Sequence, residues 1–381
     1  MNQTVKIMTP GPTQVRENVR MARSFVTTNP DLDLTFYEEY KTICDRLSAL
    51  LHTDNVSYIL SGEGILGLEA ACASLTEPGD RVLVLDNGIF GKGFADFVKL
   101  YGGEPVLYTV SDKKAIDVDA LKQYLQENHD FKYATVVHCD TPTGVLNPIE
   151  QICPLLKQYG ILTVVDAVAS MFGVEIDVDA GQVDILCGGS QKALSAPPGL
   201  TMLTVSSDAI QAMEERKIPI ASFYANILTF KNYYKDKWFP YTMPISDIYG
   251  LGAALDNVLA DQNIYVRHAQ IAEAVRTAVV EAGLKLYLDN DYCSTVTVIE
   301  VPKDVNSAQF LQHMTDEYGI MIAGCFDYLA GKVFRLGHMG EGANVDDVVA
   351  MLDAMDQTFA DLGYLLKCSM KDVFERAIKQ V

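Results

Sequence analysis

Basic side chains are scarce: 30 lysines and arginines stand against 50 aspartates and glutamates, a formal charge of −20. Such a chain repels a phosphodiester backbone and an anionic membrane surface, which argues against nucleic acid and membrane as partners. The six histidines are scattered, with no HExxH pair, and none of the eight cysteines forms a CxxC pair. Zinc knuckles, thioredoxin-type redox motifs and metal centres therefore find no support. No apolar run approaches the roughly eighteen residues of a membrane span. Pro10-Gly11-Pro12 also arrives before a signal-peptide core has formed. The expectation is a cytoplasmic protein with reduced, mostly buried thiols.

At 381 residues the chain can build one large domain plus a smaller one. Residues 1–15 read as an irregular N-terminal arm, because Thr9-Pro10-Gly11-Pro12-Thr13 forbids a helix. Phe36, Tyr40, Ile43, Leu47, Leu50 and Leu51 then recur at helical spacing. Short β-rich runs follow at 56–60, 81–85, 105–110, 134–139, 162–166, 185–188 and 200–205. Several are apolar on both faces and their connections are long enough to cross over, which predicts an α/β fold with a doubly wound, mostly parallel sheet. From about Pro244 the texture turns helical, with further strands expected at 292–301 and 331–336. The resulting organisation is a large domain over 16–255 and a smaller α+β domain over 256–381.

In such sheets ligands sit beyond the C-terminal ends of the strands, and those ends carry the polar residues. The first run opens into Ser61-Gly62-Glu63-Gly64-Ile65, a glycine-rich turn entering a helix, where backbone N–H groups hold anions. The second leads to Asn87-Gly88-Ile89-Phe90-Gly91, whose aromatic ring can stack on a planar ligand. The fourth ends in Asp140-Thr141-Pro142-Thr143-Gly144, a hydroxyl-rich turn, and the fifth in Asp166, a carboxylate able to hold a protonated ring nitrogen. The sixth delivers Ser190-Gln191-Lys192 ahead of Pro197-Pro198-Gly199. An amine at a strand end beside small residues suits Schiff-base chemistry on an aldehyde. Taken singly, each feature has a plainer reading: a solvated lysine, a packing turn, a core phenylalanine, ordinary turn chemistry, a helix cap. Together they call for a pyridine aldehyde.

At these positions the chain resembles the class V aminotransferases of the fold-type I pyridoxal-phosphate enzymes, in the alanine–glyoxylate and serine–pyruvate branch. Ser190-Gln191-Lys192-Ala193-Leu194 with Ala196-Pro197-Pro198-Gly199, and Phe334-Arg335-Leu336-Gly337-His338-Met339-Gly340, are the most specific stretches. The resemblance implies pyridoxal 5′-phosphate as cofactor and an amino transfer from a small amino donor to pyruvate or glyoxylate. Lys192 would form the Schiff base and shuttle the proton, and Asp166 would pair with the pyridinium nitrogen. Phe90 and Val168 would enclose the ring, with Thr141 at its phenolic edge. Arg335 would take the substrate carboxylate as a bidentate pair. Gly64, Ile65 and Gln191 would lie at the phosphate, with Thr242 reaching it from the partner of a homodimer that shares its active sites.

Glu63 departs from that pattern, standing where phosphate-binding members carry a small residue. A phosphate ester bears about −1.5 to −2 charges. A carboxylate about 4 Å away opposes it by roughly 4 kcal/mol per unit charge at an effective dielectric of about 20. Glu63 must point away, be protonated, or face a ligand without phosphate. The third option is similar to pyridoxamine–pyruvate aminotransferases, whose substrate is unphosphorylated pyridoxamine. Residues 63–71, 90–94, 140–144 and 196–202 resemble that subgroup. Phe326 departs from it, standing where an arginine is expected, and Phe239 replaces a tyrosine of the alanine–glyoxylate branch. Two rivals share the fold. A cysteine desulfurase would use Cys325, but Gln191 stands where those lyases carry histidine. A non-catalytic B6-binding protein would hold the cofactor without turnover.

Overall fold

The computed structural model of the protein describes residues 5–380. Among them, seven strands form the central sheet: β1 (Val56–Ser61), β2 (Arg81–Asp86), β3 (Glu104–Thr109), β4 (Tyr133–Val137), β5 (Leu162–Asp166), β6 (Ile185–Gly189) and β7 (Leu200–Val205). Their order across the sheet is β1-β7-β6-β5-β4-β2-β3, so the chain repeatedly leaves the sheet and returns elsewhere. β7 runs antiparallel to both β1 and β6, and the other pairings are parallel. Strands β4, β6 and β7 are buried along their whole length, as Val/Ile/Leu-rich strands covered on both faces must be. Edge strand β3 alternates exposed and half-buried positions instead.

The helices bring polar strand ends together. Helix α1 (Leu34–Leu50) starts at Asp33, whose carboxylate accepts from Thr35 N, and presents Tyr40, Ile43 and Leu47 to the sheet. The Tyr40 hydroxyl and the Ile59 backbone exchange hydrogen bonds of 2.7 and 2.8 Å, which pins α1 to β1. Helices α2 (Gly64–Leu75) and α3 (Ile89–Leu100) begin directly after β1 and β2, at the same edge where β5 and β6 end.

The fourth run ends earlier than its apolar pattern suggests. Strand β4 stops at Val137, and Cys139–Asp140 leaves the sheet to pair antiparallel with Val145–Leu146. Gly144 closes that hairpin at φ +83°, donating to Asp140 O at 2.7 Å, and it projects Asp140 and Thr141 over the sheet. Strands β8 (Val296–Glu300) and β9 (Val333–Gly337) pair antiparallel in the C-terminal part. Both are shorter than the expected 292–301 and 331–336 at the N-terminal side, where Asp291 and Gly331 adopt positive φ.

The expected arm is partly structured: Lys6–Ile7 forms a parallel ladder with Ile320–Met321, while residues 1–4 lie outside the described residues. One apolar core runs from Val19 to Ile264, and another unites Met8 with residues from Ile271 to Phe374. Helix α4 (Ile245–Ala260) crosses position 256 and its Val258 packs into the first core. We therefore propose that the large domain extends into helix α5 (Ile264–Glu281) and that the arm completes the smaller one. Among the described residues no helix is long and apolar enough to cross a membrane. Nor does any group of three or more His, Cys, Asp or Glu side chains among them suit a metal ion.

Candidate active site

Strand β6 ends in Gly188-Gly189 because neither position has room for a side chain: a Cβ on Gly188 would sit 2.4 Å from Met171 Sδ. The turn beyond it is tied down. Ser190 Oγ donates to Pro197 O at 2.6 Å, and Ser195, at φ +53°, donates its N–H to Lys192 O at 2.8 Å. The N-terminal arm crosses this turn, with Thr13 N donating to Gln191 O at 3.0 Å and Lys192 Nζ donating to Pro10 O at 2.8 Å. Gly11 is the closest approach: at φ +103°, a Cβ would lie 2.3–2.6 Å from the Lys192 side chain. The arm was legible as an arm, but its contact with Lys192 is a tertiary finding.

Glu63, Gly64, Ile65, Phe90, Thr141, Asp166, Val168, Gln191 and Lys192 all line one cavity of about 160 Å³. Gly64 is required there, since its Cβ would come within 2.8 Å of Val168. Burial pushes the Lys192 ammonium down to about 8, against the pull of Asp166, so the neutral amine is far easier to reach near physiological pH than for an exposed lysine. Asp166 is pushed up to about 7, chiefly by burial; Val168 N and Lys192 oppose the shift, and Asp140 and Glu63 add to it. One Asp166 oxygen accepts from Val168 N at 2.9 Å, and the other has no protein partner among the described residues.

Asp140 is a fully buried carboxylate whose role in the site emerges only from the fold. It accepts from Phe90 N at 3.1 Å and from Thr143 Oγ1 at 2.9 Å, and burial lifts it to about 6. The signal available in the sequence was an acid placed directly before Thr141 in a strand-end turn.

Two expected site residues lie outside the cavity. Arg335, on β9, is half-buried; its Nε donates to Gly324 O at 2.6 Å, and it forms no ion pair with a carboxylate among the described residues. Thr242 is exposed, donating to Asp31 at 3.1 Å. Phe239, by contrast, is core: it stacks on Tyr37 at 4.6 Å and packs against Tyr40 and Tyr233.

Glu63 faces inward. It is the N-cap of α2, accepting from Ile65 N at 3.2 Å, and its second oxygen accepts from Gln191 Nε2 at 3.1 Å. The buried Oε1 of Gln191 has no partner among the described residues.

Residues 21–325 match the aminotransferase class-V family. The chain belongs to that family. As a class-V aminotransferase it has the fold-type I architecture, with a mostly parallel central sheet, and it works with a pyridoxal-type cofactor. It is 34% identical over 330 residues to the pyridoxamine–pyruvate transaminase of Mesorhizobium japonicum, covering 85% of this chain and 84% of that protein. The structure of a pyridoxamine–pyruvate aminotransferase from Mesorhizobium loti superposes with a TM-score of 0.94 at 32% identity, covering 99% and 98% of the two chains. That of a ureidoglycine–glyoxylate aminotransferase from Bacillus subtilis gives 0.95 at 25% identity, covering 100% and 99%.

The class-V cavity fits the cofactor's ring better than its phosphate. Asp166 offers an unpartnered carboxylate oxygen to a ring N–H, and Val168 and Phe90 are apolar surfaces for ring faces. At the start of α2, the donors suited to a phosphate, Ile65 N and Gln191 Nε2, are already engaged by Glu63.

Proposed function

We propose that this aminotransferase takes unphosphorylated pyridoxamine as its amino donor and a small 2-oxo acid, pyruvate or glyoxylate, as its acceptor. The observation that carries the reading is the Glu63 carboxylate seated on the N-terminus of α2 and held by Gln191. A phosphate there would meet that carboxylate at close range, at roughly 4 kcal/mol per unit charge for about 4 Å and an effective dielectric of about 20. A free hydroxymethyl group instead donates a hydrogen bond to it. The local charge also supports the reading. Glu63, Asp140 and Asp166 outnumber Lys192 and Arg335, an arrangement suited to a cationic ring rather than an anionic ester.

When bound, the pyridine ring supplies an electron sink for the carbanion that transamination requires. The chain supplies the rest. Lys192, steadied by Pro10 O and with its pKa lowered by burial, would hold the amine that moves the proton between the carbon atoms of donor and acceptor and that captures the aldehyde product. Asp166 holds the ring N–H, and the ring's charge in turn draws the Asp166 carboxyl back toward its ionised form. Thr141 would hold the ring's phenolic edge, Phe90 and Val168 would enclose its faces, and Arg335 would take the acceptor's carboxylate through the guanidinium edge that Gly324 leaves free.

A resident phosphorylated cofactor serving a small amino donor is the second reading. It draws on Gln191 and the α2 terminus, both freed if Glu63 turns outward, and on Thr242, exposed and able to reach a neighbouring subunit. The homodimer with a shared site belongs to this proposal, as does a cytoplasmic setting for the eight free thiols. A desulfurase role gains nothing from Cys325, whose thiol burial raises rather than lowers.

Incubating apo protein with pyridoxamine and pyruvate should yield pyridoxal and alanine in equal amounts. No turnover, together with tight retention of the phosphate ester by mass spectrometry, would overturn the pyridoxamine reading.

A further inference from the structure

Phe326 occupies an unusual position for an exposed aromatic. The residue is 45% exposed, yet its ring lies 5.7 Å from the Arg335 guanidinium and meets Phe90 edge-on at 6.1 Å and 74°. Phe90 lines the cavity, so Phe326 bridges the ligand-facing ring and the free arginine. Its placement is set by the fold. Ala323 and Arg335 exchange backbone hydrogen bonds of 2.7 and 3.2 Å, and Arg335 Nε grips Gly324 O, which registers the 323–326 loop to that arginine.

The surroundings of Phe326 are acidic. Asp327 follows it, and the next residue, Tyr328, donates to Asp112 at 2.6 Å, as does Tyr287. Asp140 lies buried on the Phe90 side. Lys113, which sits over the Tyr287 ring, is already paired with Glu300. An acceptor anchored through one carboxylate at Arg335 thus finds an aromatic wall and negative charge where a second carboxylate would need a cation. Such a group would be desolvated without a partner, whereas a methyl or ethyl tail packs on the ring.

We propose that Phe326 is the specificity-determining residue for the acceptor. It admits a 2-oxo acid with one carboxylate and a short apolar tail, and it turns away dicarboxylic 2-oxo acids. The inference rests on the aminotransferase reading of this site and does not depend on whether the vitamer carries a phosphate.

The test is the acceptor reaction, run separately with pyridoxamine and with pyridoxamine phosphate, for pyruvate, 2-oxobutyrate and 2-oxoglutarate. With whichever vitamer turns over, kcat/KM for pyruvate should exceed that for 2-oxoglutarate by about 100-fold or more. Phe326→Leu should keep the preference, Phe326→Ala should relax it, and Phe326→Arg should raise kcat/KM for 2-oxoglutarate about tenfold or more through KM. The KM for the vitamer should move less than the acceptor ratio in all three, since Phe326 reaches the vitamer only through Phe90. Equal use of pyruvate and 2-oxoglutarate by the native enzyme, or a ratio unmoved by both Phe326→Ala and Phe326→Arg, would overturn the role of Phe326. Turnover confined to the phosphate ester would overturn the pyridoxamine reading alone and leave the acceptor ratio to judge Phe326.

Discussion

Glu63 and Lys192 carry opposite kinds of information. The lysine is replaceable by nothing else in the cavity, so Lys192→Ala should abolish both the aldehyde-dependent absorbance and the amino transfer in a single-turnover assay. Retention of either would remove the basis for the mechanism. In the proposed function Glu63 instead chooses the ligand. In Glu63→Ser the α2 terminus and Gln191 Nε2 become free, and the affinity for pyridoxal phosphate should rise about 100-fold while pyridoxamine binding weakens. Equilibrium dialysis of both vitamers against both proteins measures the exchange. Titration adds a separate check. Asp166 sits at about 7 in the fold against an ordinary value of 3.8, so it stabilises the apo protein fully below about pH 4, and that contribution is lost as pH rises through 7. The apo Tm should therefore decline over that window more steeply than the Tm of Asp166→Asn, and pyridoxamine should flatten the decline by supplying the missing cation.

Elements matter here through their ends. β5, β6 and the Cys139–Asp140 hairpin deliver Asp166, Lys192 and Thr141 to one edge, and α2 aims its N-terminus at the same cavity. The arm is the least expected participant. A short segment of low regularity closes over the lysine because Gly11 has no side chain and because Gly337 on β9 lets the Thr9 backbone pass, its own Cβ being only 2.1 Å from Thr9 O if present. Gly11→Ala should shift the Lys192 side chain and lower kcat about 100-fold. The variant should still fold, since the strain of an alanine at φ +103° is about 1–3 kcal/mol. Circular dichroism beside steady-state kinetics separates the two effects; an unchanged kcat would show that the arm only covers the site.

At the scale of the whole molecule, the exposed apolar side chains Phe25, Val26, Leu32 and Leu34 flank Asp31, the hydrogen-bond partner of Thr242. Four large apolar side chains exposed within ten residues of sequence support the proposed burial of this segment against a second copy. For the proposed homodimer, Val26→Asp should give a monomer in sedimentation velocity and reduce turnover with it; a dimer that persists with full activity would place the interface elsewhere. The same scale separates what was legible in the sequence from what was not. Lysine, acid, aromatic and glycine turn could be read because each follows a short apolar run, and strand ends in a doubly wound sheet converge whatever the loops between them do. The hairpin at Cys139–Asp140, the inward aim of Glu63, the burial of Asp140 and the passage of the arm over Lys192 could not. The hairpin is local but hidden in an apolar run that reads as one strand; the others depend on contacts between residues far apart in the chain, such as Gln191 with Glu63 or Pro10 with Lys192, and local spacing carries no record of distances set by packing. Apolar runs and the polar residues at their ends are enough for the fold class and for a pyridoxal-type cofactor; the direction of the Glu63 carboxylate is settled by packing, because its partner Gln191 lies at the end of another strand.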